Sequence, residues 1–403
     1  MARHKNSTFN ILMYSHDTYG LGHIRRTMAI ANQLKTTGTN ILILTGSPIV
    51  GRFAFPKNID FVRIPGMIKV TNEEYLPLSI KLNPNHVLAI REKIILATAK
   101  AFRPALFIVD KEPLGLKKEV LSTLFWMKKC QPRCKTILGL RDIMDDREVV
   151  RRDWTKKDIY THLKRLYDEI WVYGQQDFYD PITEYAIPET VSRKMVFTGY
   201  IPRKIPARKT VLETKRSLGL ADDQKLIVVT TGGGGDGFAI MDNYMAMLEQ
   251  ESQPLPFRSV LVFGPFMPKQ QRQQIIERGR RHQVITCRFY RRMEELLAAA
   301  DVVISMGGYN TICEILSQGT LSLVVPRETP RKEQLLRAQA LQRHGLADFI
   351  PWHELNPTAL KAKIIALLEN GSAHHEAIGK FQFTGLSVMH DRIRIFKEQP
   401  YVA

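Results

Sequence analysis

The chain has 403 residues, 44% hydrophobic and 24% charged, which is too long for one ordinary core and too apolar for disorder. Its 58 Lys and Arg against 40 Asp and Glu leave a formal charge of +18, favouring anionic partners: nucleic acid, anionic lipid headgroups or phosphorylated small molecules. Four cysteines make no disulfide framework in a chain this long, and no uncharged apolar run approaches the ~20 residues of a membrane-spanning helix, so a reduced cytoplasmic protein is expected.

Strand-like runs alternate with helical patterns. Asn10–Ser15, Asn40–Thr45, Ala105–Val109, Thr136–Leu140 and Glu169–Tyr173 come first, then Leu226–Thr230, Ser259–Phe263, Val284–Arg288, Val302–Ser305 and Leu321–Val325. Such alternation predicts an α/β protein with two doubly wound, Rossmann-like domains. The basic, proline-punctuated segment Thr198–Lys209 is the expected hinge. The domains are expected at 1–200 and 201–385, followed by a final helical segment, 386–403.

The first strand ends in Tyr14-Ser-His-Asp-Thr-Tyr-Gly-Leu-Gly-His23, ahead of a helical pattern to about Leu34. Gly20 and Gly22 permit a tight turn there. His16, Asp17 and His23 supply groups able to take a proton near neutral pH. The plain alternative is a glycine turn with a capping Asp and solvent histidines. Residues 85–103 form an amphipathic pattern whose charge comes from Arg91, Lys93, Lys100 and Arg103, a candidate membrane-surface element. Glu112 follows a strand as an acceptor-side candidate. Arg141-Asp-Ile-Met-Asp-Asp146 reads as an exposed loop with local ion pairs, and His374-His375 as part of a polar loop. No metal site is expected.

In the second half, Leu226–Thr230 enters Thr231-Gly-Gly-Gly-Gly-Asp-Gly237. The dinucleotide fingerprint wants an acid near the end of the next strand, and that strand ends in Phe263-Gly264-Pro265, so a phosphate loop or a gap facing a cleft is expected. Asp301–Glu314 reads as a buried strand, a glycine turn at Gly307-Gly308, and a helix whose free N–H groups suit an anion. Asn310 and Thr311 add side-chain donors, and Glu314 is placed to accept from a sugar hydroxyl. Glu333 and Gln334 open a helix after the next strand, where their side chains suit sugar hydroxyls.

Taken together these motifs resemble the GT-B glycosyltransferases of family 28. The resemblance rests on the Gly20–His23 loop, the linker Val196-Phe-Thr-Gly-Tyr-Ile-Pro-Arg203, the glycine loop, Arg288-Phe-Tyr-Arg-Arg-Met293, Gly307-Gly308 with Thr311 and Glu314, and Glu333-Gln334. It implies a GT-B fold, with an N-terminal acceptor domain and a C-terminal donor domain facing across a cleft, and a final helix packing back on the first domain. It implies donor contacts at Gly22, Gly233, Gly234, Gly307, Gly308, Asn310 and Thr311, a base pocket at Phe289, Tyr290 and Met293, ribose at Glu314, and the transferred sugar at Glu333 and Gln334. It also implies a catalytic base among His23, Asp17 and His16, and no cofactor. Arg291 and Arg292 stand where the family carries acids, leaving the nucleotide base open.

The expected activity is transfer of a hexose or N-acetylhexosamine from a nucleotide-diphosphate sugar, a UDP-sugar in the family, to a lipid-linked, saccharide or small-molecule hydroxyl. Met306 replaces the first acid of the retaining Glu-x7-Glu pattern, so inversion is expected. A peripheral position on the inner membrane face fits the charge, and nucleic acid is not an expected partner. A sugar-nucleotide epimerase and a non-catalytic nucleotide-sugar-binding subunit are the rival readings.

Overall fold

Runs of β-branched and aliphatic residues without polar alternation suit strands covered on both faces. In the computed structural model, which describes residues 8–17, 22–69, 74–253 and 255–398, those runs are strands of two parallel sheets. Gly20 lies outside the described residues. The chain divides into two units, Met1–Ile201 with Thr384–Ala403, and Pro202–Phe383.

The strands of the first unit are β1 (Phe9–Ser15), β2 (Thr39–Thr45), β3 (Ile59–Arg63), β4 (Met67–Lys69), β5 (Tyr75–Pro77), β6 (Leu106–Asp110), β7 (Lys135–Arg141), β8 (Glu169–Tyr173) and β9 (Met195–Phe197). Seven of them form a sheet in the order β3-β2-β1-β6-β7-β8-β9, and β4 pairs with β5 in a separate antiparallel ribbon. Every pairing in the large sheet is parallel. The order reverses between β1 and β6, the place where ligands of open α/β sheets bind. β3, β4, β5 and β9 escape a reading based on apolar runs. They are short, and the edge strands β3 and β9 are only partly covered.

Three sequence expectations are overturned here. The amphipathic helix spans Pro84–Phe102, capped by the Asn83 side chain accepting from the Asn85 amide at 2.9 Å. Arg91 does not charge its outer face: it is 0% exposed. Its Nε and Nη2 each donate to Glu119 at 2.6 Å, and Nη1 donates to the Pro65 carbonyl at 2.5 Å. Arg91 occupies the register of the buried residues Val87, Ile95 and Ala99, four apart, which is why it faces inward. Second, residues 141–146 are no exposed loop. Asp142 and Asp145 are buried, and Asp142 accepts hydrogen bonds from the Tyr200 hydroxyl and the Ile143 amide. Third, His374 and His375 lie in a helix, Ser372–Lys380.

The last helix, Gly385–Glu398, packs within the first unit beside the helix Gly22–Leu34. Arg392 pairs with Glu169, which also accepts from Trp171 Nε1 at 2.8 Å. Lys397 Nζ donates to the hydroxyls of Thr36 and Thr39, each at 2.7 Å.

The second unit holds β10 (Lys225–Thr230), β11 (Phe257–Val262), β12 (Ile285–Cys287), β13 (Val302–Ser305), β14 (Leu321–Val324) and β15 (Asp348–Phe349) in the parallel order β12-β11-β10-β13-β14-β15. Its topological switch falls between β10 and β13. Successive residues of β10 enter opposite cores: Ile227 and Val229 join one, Leu226 and Val228 the other. That two-sided burial explains the unbroken apolar sequence.

Candidate functional site

In the first unit, the switch point collects residues from β1, β2, β6 and the helix Gly22–Leu34. His23, on the first turn of that helix, places Nδ1 2.6 Å from Asp110 Oδ2 at the carboxyl end of β6. Arg26, one turn further, donates to the same carboxylate: Nε to Oδ1 at 3.1 Å, and Nη2 to Oδ1 and Oδ2 at 2.7 and 2.9 Å. His23, Arg26 and Asp110 are all buried. Burial pushes the Asp110 carboxyl upward, but Arg26 and His23 outweigh it and hold the group well below the usual carboxylate range. An ionised Asp110 accepts a proton-bearing Nδ1, which leaves the lone pair of His23 on Nε2. Burial lowers the His23 pKa to about 4 despite Asp110, so the ring is neutral at pH 7.

The other two base candidates lie close by. The His16 ring stands edge-on to that of His23 with centroids 5.8 Å apart, and its Nδ1 is 3.3 Å from the Tyr14 hydroxyl. Burial pushes His16 well below the ordinary histidine value. Asp17 Oδ2 accepts from Thr45 Oγ1 at 2.5 Å, and burial raises the Asp17 carboxyl to about 6. His23 alone of the three has a carboxylate on its ring nitrogen. Asp110, Arg26 and Glu119 were missed from the sequence. The available signal for Asp110 was its place as the last residue of the apolar run Leu106-Phe-Ile-Val-Asp110, at a strand's carboxyl end.

In the second unit, β13 leads into Gly307, whose φ of +76° suits glycine, and a Cβ there would stand 2.7 Å from Val324 Cγ1. Gly308 is the N-cap of the helix Tyr309–Ser317 and brings no capping side chain. A Cβ at Gly308 would meet nothing within 4 Å, so the space before this helix end is open. Thr311 faces the glycine loop: a Cβ at Gly232 would lie 3.8 Å from its Oγ1. Asn310 does not present a free carbonyl, because Oδ1 accepts from Arg203 Nη2 at 3.1 Å. Glu314 is 7% exposed within the same helix.

Arg337, 0% exposed, ties the turn to the next loop by donating to the Gly307 carbonyl at 3.2 Å from the helix Glu333–Arg343. Gln334 Oε1 accepts from the Arg327 amide at 2.9 Å, and Arg327 Nη1 reaches Asp236 Oδ2 of the glycine loop at 2.5 Å. Gly233 and Gly234 have packing reasons of their own. A Cβ at Gly234 would stand 2.0 Å from the Phe263 carbonyl oxygen, and one at Gly233 would stand 3.2 Å from the Phe266 ring. Phe289 is 49% exposed, Tyr290 half-buried, and Met293 belongs to the core with Val262 and Leu296.

Strand order arranges these groups along one edge. From β12 to β14 come Phe289 and Tyr290, the 231–237 loop after β10, Gly307–Thr311 after β13, then Glu333 and Gln334. Neighbouring strands lie about 4.8 Å apart, so the row covers roughly 19 Å. Among the described residues no group of three or more His, Cys, Asp or Glu is placed to hold a metal ion.

Residues 226–392 match the family model of the glycosyltransferase family 28 C-terminal domain. This stretch is a family 28 glycosyltransferase domain. Over 91 residues the chain is 34% identical to the UDP-N-acetylglucosamine–N-acetylmuramyl-(pentapeptide) pyrophosphoryl-undecaprenol N-acetylglucosamine transferase of Streptococcus sanguinis, covering 22% of this chain and 26% of that relative. The corresponding transferase of Streptococcus thermophilus is 36% identical over 89 residues, 22% of this chain and 25% of the relative. The chain thus aligns with about a quarter of the length of these relatives. Among solved structures, MurG of Acinetobacter baumannii superposes with a TM-score of 0.63 at 15% identity, covering 96% of this chain and 99% of that one. TcCGT1 in complex with UDP gives 0.69 at 11%, covering 97% and 100%. These two are likenesses of fold, and the fold is the GT-B type read from the sequence. The matched stretch holds the expected diphosphate, ribose and sugar residues, whereas His23, Asp110 and Arg26 lie outside it.

Proposed function

We propose that the chain transfers a hexose or N-acetylhexosamine from a UDP-sugar to an acceptor hydroxyl, with inversion and without a divalent cation. The observation that carries the proposal is the row along the β12-to-β14 edge. The Phe289–Tyr290 aromatics, glycine loop, uncapped helix end and the Glu333–Gln334 pair follow one another in space as base, ribose-diphosphate and sugar do in a nucleotide sugar. In this reading the N–H groups opening Tyr309–Ser317 stabilise the departing diphosphate, the task a metal ion performs in other transferases. Glu314 holds the ribose. His23 Nε2 takes the acceptor's proton as its oxygen attacks the anomeric carbon opposite the leaving diphosphate. The acceptor proposed from the Streptococcus relatives is lipid-linked.

Calorimetric titration with UDP, GDP and their sugar conjugates tests this. UDP or one of its conjugates should saturate the parent protein. Gly308→Ala should bind about ten- to a hundred-fold more weakly, the equivalent of one or so hydrogen bonds to a charged group. Gly308 has φ −62° and an added Cβ meets no protein atom, so the variant's unfolding transition should be unchanged. Unaltered nucleotide affinity in Gly308→Ala would remove the diphosphate assignment. Isomerised donor in the absence of any acceptor would favour the epimerase instead.

An anionic membrane surface is the proposed second partner. Leu76, Ile80, Leu82 and Ile90 of the first unit are 37–48% exposed, with Lys81 and Lys93 exposed among them, although no described helix is long and apolar enough to cross a membrane. Vesicles containing phosphatidylglycerol should retain the protein in sedimentation, and the double change Ile80→Glu with Leu82→Glu should release it. Equal retention of parent and double variant would rule this patch out.

A further inference from the structure

The first unit buries a guanidinium beside its candidate base, and the proposed chemistry assigns that guanidinium no task. Arg26 is 0% exposed, three residues after His23 on one helix, and three hydrogen bonds lock it to Asp110. Its guanidinium also lies over the Tyr173 ring of β8, 5.3 Å from the centroid. Asp110 is therefore shared: Oδ2 faces His23 Nδ1 at 2.6 Å while both oxygens accept from Arg26. A planar fork fixes a carboxylate in two directions at once, which a point charge does not.

We propose that Arg26 is a positioning residue that acts on His23 through their shared Asp110 and across a direct contact, Nη2 lying 3.1 Å from Nδ1, fixing the ring's tautomer and opposing its protonation. Two effects follow from the geometry. By pinning the carboxylate, Arg26 aims Oδ2 at Nδ1 and so holds the reactive lone pair on Nε2. By cancelling the carboxylate's charge, it withdraws the stabilisation an unpaired Asp110 would give the imidazolium. The other charged or titratable groups acting on the ring are Arg141 at the end of β7, which opposes protonation, and His16 after β1. With Arg26 removed, Asp110 becomes the nearest uncompensated charge, and His23 should hold its proton to higher pH.

The role for Arg26 in catalysis rests on the proposed function, but its effect on the ring does not, so the two are tested apart. In protein labelled with 13C and 15N at histidine, the His23 signals are assigned by their loss in His23→Gln. The titration midpoint of His23 is then read in parent, Arg26→Met and Arg26→Lys. Arg26→Met should raise the midpoint by about one pH unit or more, the scale of losing one nearby like charge. Arg26→Lys keeps the charge and loses the fork, so its midpoint should move less, while its 15N shifts report mixed tautomers in place of a single Nδ1–H form. The acid limb of kcat/KM should follow the midpoint in both. A core-filling arginine would lower stability and leave midpoint, tautomer and acid limb alone, and that result in a folded variant overturns the inference. If Arg26→Met does not fold, Arg26→Lys decides by tautomer. Full turnover by His23→Ala would defeat the base assignment while leaving the Arg26 titration to stand or fall alone.

Discussion

Replacing His23 by Ala should lower kcat and kcat/KM together by about 10²–10⁴-fold, the usual contribution of a positioned base. Nucleotide affinity should not change, because the proposed diphosphate and ribose contacts, Gly307–Thr311 and Glu314, belong to the other unit. The pH profile carries a second expectation. With the His23 pKa lowered by burial to about 4, kcat/KM should stay level from neutral pH to about 5 and fall only below that. An acid limb near 6 would point to Asp17, whose carboxyl burial raises to about that value. The same shifts act on stability in opposite senses. His23 binds its proton less readily folded than unfolded, so its contribution falls as pH drops from 6.5 through 4. Asp17 binds its proton more readily folded, so its contribution is present below 3.8 and is lost as pH rises through 6. His23→Ala should remove only the first of these. Undiminished turnover in a folded His23→Ala protein would transfer the base role to Asp17 or His16.

Arg91→Met should destabilise the first unit by about 3–5 kcal/mol, the scale for breaking a buried ion pair from one side. The pair is almost sealed from water, each side chain being 1% exposed. Glu119, with Arg91 gone, would keep the hydrogen bond from the Tyr14 hydroxyl, at 2.6 Å, but its charge would lack compensation. The double variant Arg91→Met with Glu119→Gln should recover part of the loss, since neutralising the survivor removes the stranded charge. Urea unfolding followed by circular dichroism measures both. Equal, additive losses in the two single variants and the double would mean the residues do not act as a pair. Tyr14 links Glu119 to His16, so lost packing here should also disturb the loop that carries the base candidates.

The sequence by itself determined the ten principal strands, because strands buried on both faces must be written in unbroken apolar residues, and those runs are visible without coordinates. It determined the turn after β13 as well. Gly307 and Gly308 between a buried strand and an apolar helix leave the backbone few other courses, and the family resemblance depended on that local pattern. Short edge strands such as β3 and β9 were not legible, since half-covered strands need no apolar run. Only tertiary structure decided which loops are neighbours. The row from Phe289 to Gln334 is interleaved differently along the chain, where the glycine loop precedes the aromatics, and it becomes continuous through the strand order β12-β11-β10-β13-β14. Likewise nothing local pairs His23 with Asp110, 87 residues later, or Arg91 with Glu119, 28 residues later. Buried charges reveal their function only through their partners. Pairing a guanidinium or an imidazole with a distant carboxylate is a result of helices packing against the sheet and its connections, which no short stretch of sequence records.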